Sequence, residues 1–142
     1  MARSRMIGNK AHVARLHKLA GPDMTRYVGK ALFASGEMIQ VEAQIGITTG
    51  AVSGKNHVPS APGQYPNQDT GVLGNNIETV QKEPLLVEVS SNAPYSAALE
   101  FGTSRMAARP FMSTARDAKR KEAEQLVKQA VAAAVRRSKS KD

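Results

Sequence analysis

The sequence predicts an α+β fold: a small antiparallel sheet packed with N-terminal helices and a long C-terminal helix, with one long Pro/Gly-rich loop between. Three observations predict it. Apolar residues recur at three- and four-residue steps over residues 13–45 and again over residues 115–135. Between those stretches two short runs, Ile77/Thr79 and Leu85/Val87/Val89, alternate with polar neighbours on either side of Glu83-Pro84. Residues 50–68 carry Gly, Pro, Ser and Asn with little apolar content, and a loop of that length is expected to be functional or ordered by a partner.

Taken in order, Val13, Leu16, Leu19 and Ala20 mark one face of a short first helix, which Gly21-Pro22 stops. Asp23 is the expected N-cap of a second helix carrying Tyr27, Val28, Ala31, Leu32, Met38, Ile39, Glu42 and Ile45. Gly46 and the β-branched Ile47-Thr48-Thr49 are expected to end it. Residues 77–82 and 85–90 form the antiparallel pair. Residues 95–101 suit a short helix better than a third strand. After Pro110 a long helix follows, with Ala115, Ala118, Ala123, Leu126, Val127, Ala130, Val131, Ala134 and Val135 as its stripe. Residues 1–138 then make one domain, and 139–142 a basic tail.

With 142 residues, no Trp and 4% aromatic content, the core must rest on Leu, Ile, Val, Met and Ala. Such a core is small, and self-association would help to complete it. The absence of Cys removes disulfides and thiolate sites. The basic start has no apolar segment of the secretory kind, and no run approaches the length of a membrane span. The net charge of +8 is uneven. Residues 1–50 hold seven Lys/Arg against three acids, residues 51–111 four against five, and residues 112–142 nine against four. Basic ends suit phosphate or acidic neighbours as well as plain solvation.

Catalytic patterns are weak. Asp69-Thr70-Gly71 matches the aspartic-protease tripeptide, yet no apolar strand feeds it, so an Asx-type turn or helix N-cap orienting Leu73 is the expectation. The stretch from Gly50 to Asn56 echoes a phosphate loop but is one spacer short and lacks the Ser/Thr after Lys55. His12 and His17 are five apart, about 140° around a helix, and do not converge on a metal. Glu37 and Glu42 have the same spacing. No catalytic residue, metal or cofactor is expected, and the chain reads as a non-enzyme.

One ordered series stands out: Pro62-Gly63, Pro66, Asp69-Thr70-Gly71-Val72-Leu73, then Tyr95, Glu100-Phe101-Gly102-Thr103 and Arg109-Pro110-Phe111. It resembles the minor tail component, or tail-completion, family of long-tailed bacteriophages, over about 55 residues. Gly74-Asn75-Asn76 departs from the basic or polar residues usual after that Leu, and Ile77 keeps the pattern. The resemblance implies a structural virion protein in a ring, six-fold in expectation, at the head–tail junction. It would join head-completion proteins to the tail terminator or tube and leave a lumen for genomic DNA. Stopper and tail-terminator roles in the same neck are close alternatives. A basic nucleic-acid-binding protein is the rival from another class.

The residue chemistry assigns roles independently. Pro62 and Pro66 stiffen the loop for contact with a neighbouring subunit. Gly71 and Gly102 free the backbone at turns. Phe101 and Phe111 are the expected core anchors pinning the last helix to the sheet. Glu100 is expected to pair with Arg105 or Arg109, or to be solvated. Arg116, Lys119, Arg120 and Lys121 lie off the apolar stripe as the basic surface for neighbouring rings.

Overall fold

The computed structural model describes residues 9–140. α1 (Asn9–Leu19) gives way at Gly21, and α2 (Pro22–Thr48) opens on the proline, whose missing N–H costs nothing in a first turn. Gly21, extended, occupies the N-cap position expected for Asp23. Asp23 sits inside the first turn instead, where its carboxylate accepts from Arg26 at 3.2 Å and pairs with Arg137 at 3.5 Å. α2 ends at Thr48 with Thr49 as its C-cap, inside the Gly46-Ile47-Thr48-Thr49 stretch expected to end it, and Ile47 is still helical. Its complete burial outweighs the weak helix preference of a β-branched residue.

A 3₁₀ turn (Gly54–Asn56) interrupts the long loop, and a single helical turn, α3 (Val72–Asn75), ends it. β1 (Ile77–Glu83) and β2 (Leu86–Ser91) form the antiparallel hairpin, with Ile77 opposite Ser91 and Thr79 opposite Val89. The register slips between Gln81 and Glu83, a bulge before the turn. Leu85 therefore falls in the turn and is exposed, not on the inward face with Val87 and Val89. α4 (Ser96–Phe101) is the short helix expected there, and α5 (Met112–Ser140) the long one. α5 continues through Lys139 and Ser140, so the division expected at 138 falls within a helix. Lys141 and Asp142, the rest of that tail, and the basic residues 1–8 lie outside the described residues.

α2 and α5 are antiparallel neighbours. Lys119, early in α5, reaches Glu42, late in α2, at 3.8 Å, while Arg137 at the far end reaches Asp23. The other side of α2 carries the hairpin. Gly29, Gly36 and Ala43, seven apart and so near two full turns, leave this face flat. A Cβ on Gly36 would lie 2.7 Å from Thr79 Cγ2 and 2.9 Å from Val87 Cγ1, and one on Gly29 would lie 2.5 Å from the Pro84 carbonyl oxygen. Thr79 Oγ1 donates to Gln40 Oε1 at 2.7 Å, adding a polar tie across the same contact.

The core gathers at one end of the α2–α5 pair: Ala43 and Ile47 of α2, Leu73 of α3, Ile77 of β1, Ala93, Phe111 and Ala115. Phe111, Ile47 and Leu73 are its largest fully buried side chains, so the core is as small as the composition suggests. The apolar face expected of α1 stays open, with Val13 and Leu16 exposed.

Candidate functional site

The ordered motif residues, distant in sequence, come together around the start of α5. That helix has no acidic residue in its own first turn. Glu100, at the end of α4, supplies the missing charge. Its carboxylate accepts the N–H groups of Phe111 at 2.8 Å, Met112 at 3.0 Å and Ser113 at 3.0 Å. These are donors that a helix start cannot satisfy internally, and the negative charge suits the positive end of the helix dipole. Burial raises the Glu100 carboxyl, but the bonds from Ser113, Phe111 and Met112 together outweigh it, leaving the group below the ordinary glutamate range. The expected pairing with Arg105 or Arg109 is thus replaced by a helix cap.

Arg109 has another task. Its backbone N–H donates to Leu99 at 2.7 Å, and its Nε donates to the Ser60 carbonyl at 3.0 Å. The Gly63 N–H donates to the Ala108 carbonyl at 2.9 Å. The proline-rich loop is thereby tied to the segment entering α5. Within that loop Pro66 is buried and Pro62 exposed, while Pro110 is half-buried. Gly102, at φ +74, closes the turn after α4, and a Cβ there would lie 2.9 Å from both Ala108 N and the Met106 carbonyl oxygen.

The other half of the motif forms a clasp. Asp69 Oδ1 accepts the Gly54 N–H at 2.8 Å, and the Ser53 hydroxyl donates to the Asp69 carbonyl. Gly71, at φ +82, takes the N-cap place of α3 that was expected for Asp69, and Leu73 turns into the core at 1% exposure. Two stretches that resembled unrelated catalytic loops therefore hold each other. Tyr95, exposed, shares a shallow cleft of about 320 Å³ with His57, Pro66, Asp69 and Leu99.

Phe101 corrects the expectation of a second core anchor: it is 82% exposed. The reason lies in helix geometry. Leu99 packs on the core, and a residue two positions on points about 200° away around the helix. Phe101 stands at the rim of a groove of about 530 Å³, floored by Ile39, Val89, Ala97, Phe111 and Met112. Once residues 96–101 are read as a helix anchored by Leu99, the outward turn of Phe101 follows from the spacing.

The basic candidates divide. Arg116 pairs with Asp117 at 3.1 Å, Lys119 with Glu42 and with Glu122 at 3.6 Å, and Arg120 with Glu124 at 3.4 Å. Lys121 is exposed beside them. Among the described residues, no three His, Asp or Glu side chains gather as a metal site, and no helix is long and apolar enough to cross a membrane. Comparison of the chain with protein-family models, with curated proteins and with solved structures finds no match.

Proposed function

We propose that this chain is a structural virion protein that forms a ring at the head–tail junction of a tailed phage or phage-like particle, joining head-completion proteins to the tail tube. The reading starts from the ordered motif, and the observation that carries it is Phe101. An aromatic side chain that is 82% exposed beside an apolar groove, on a turn locked from both sides, suits burial against another protein. The small core and a hairpin covered on one face only agree with a subunit that completes its burial between copies. In this reading the ring leaves a channel for DNA, needs no cofactor and performs no catalysis. The protein resides in the virion, after assembly in the host cytoplasm.

Electron microscopy of particles carrying a labelled copy of the chain tests the proposal. A ring of label between head and tail is expected, with Phe101→Asp particles yielding unjoined heads and tails. A single copy at the junction, or label absent from the particle, would overturn it.

A further inference from the structure

The tertiary structure redistributes the charge of the chain. The last turn of α1, the first turn of α2 and the last turns of α5 meet at one end of the molecule, where His17, Lys18 and Leu19 line a cleft with Asp23, Ala134 and Ser138. Within residues 10–30 and 136–140 there are eight Lys/Arg, namely Lys10, Arg15, Lys18, Arg26, Lys30, Arg136, Arg137 and Lys139, against Asp23 alone. All eight side chains are exposed. Residues 31–135 hold nine Lys/Arg against ten acids, and at the start of α5 Arg116, Lys119 and Arg120 are each paired with a carboxylate. Chain segments that are more than 100 residues apart thus build one cationic end on an otherwise balanced body.

We propose that this end is a docking surface for the sugar–phosphate backbone of duplex DNA. Its cations are spread over three helices instead of converging on a pocket, which matches an extended line of phosphates better than a single small anion. The aromatic residue there, Tyr27, is not available for base stacking: the Arg26 guanidinium lies 5.4 Å from its ring centroid, and Arg137 donates to its hydroxyl at 3.2 Å. Phosphate contact is therefore the interaction proposed. Val13 and Leu16, exposed on α1, make an anionic lipid surface the competing occupant, although α1 has no aromatic residue to anchor in one. The inference is independent of the ring: a ring without DNA binding, and DNA binding without a ring, are separate outcomes.

Fluorescence anisotropy with the full chain and a labelled duplex of about 20 base pairs tests it, beside sedimentation with phosphatidylglycerol vesicles. With about four of the eight cations meeting phosphates, the slope of log K against log salt is about −3.6, a loss of roughly 150-fold between about 50 and 200 mM salt. A variant with K10Q, R15Q, R136Q and K139Q leaves Arg137 on Asp23 and should weaken duplex binding at least about tenfold at low salt. A control with K55Q, K82Q, R105Q and K121Q removes the same charge from the body and should change it less than about threefold. Equal losses in the two variants, salt-insensitive binding, or binding to vesicles but not to duplex would each overturn the proposal. So would the absence of both interactions.

Discussion

The Glu100 carboxylate and the Phe111 backbone N–H, 2.8 Å apart, join the end of α4 to the start of α5. The same carboxylate satisfies the next two N–H groups of α5. The orientation of the longest helix in the chain therefore depends on a charge donated by another element. Glu100→Gln keeps the size but loses the charge and one acceptor oxygen, and should cost about 1–2 kcal/mol, in the range of a lost helix cap. Urea denaturation of the two proteins measures it.

The same group links stability to pH. Its folded pKa lies below its unfolded value, so the folded state binds the proton more weakly. The contribution is fully present above the unfolded value of about 4.3 and is lost as pH falls through the folded one. Thermal midpoints of wild type and Glu100→Gln should therefore differ at neutral pH and converge as the pH falls past the unfolded value and through the lower folded one. A constant difference across that range would mean that the carboxylate charge plays no part.

Phe111 and Phe101 should behave oppositely. Phe111 is completely buried, and Phe111→Ala should cost about 3–5 kcal/mol. Phe101→Ala removes an exposed ring and should leave the isolated subunit within about 0.5 kcal/mol of wild type. Calorimetry on purified subunits separates the two, and a defect of Phe101→Ala confined to particle joining would place its use between molecules.

The Asp69 clasp predicts a graded series. Asp69→Asn retains an acceptor for the Gly54 N–H, whereas Asp69→Ala has none. Limited proteolysis should cut residues 51–58 faster in the Ala variant and at close to the wild-type rate in the Asn variant. Gly71→Val, forced to φ +82, should lower stability by more than about 1 kcal/mol because a β-branched residue resists the left-handed region.

Close packing of α2 on the hairpin predicts intolerance to a single methyl. Gly29→Ala would set its Cβ 2.5 Å from the Pro84 carbonyl oxygen, so the hairpin turn must move, at about 1–3 kcal/mol. Gln81, which donates to that same carbonyl at 3.1 Å, should lose its bond as the turn shifts. Chemical denaturation checks the cost.

Elements whose local pattern and burial agree were legible in the sequence. The three-and-four spacing of α5, the alternation around Glu83-Pro84 and the stop at Gly21-Pro22 each determined an element, because hydrophobic period and backbone restriction act within a few residues. Burial of Phe111 was expected too, but the same reasoning put Phe101 in the core, where it is not. What only the tertiary structure decided is which side of an element is used and which groups meet across the chain. Leu99 took the core side of α4 and thereby sent Phe101 outward. Glu100 found three amides 11–13 residues away instead of an arginine. Asp69 met Gly54, and the start of α2 met the end of α5 through Asp23 and Arg137. Some charge pairs are local, as Arg120 with Glu124, but others form only across the fold: Lys119 reaches Glu42, 77 positions earlier, over the helix seam.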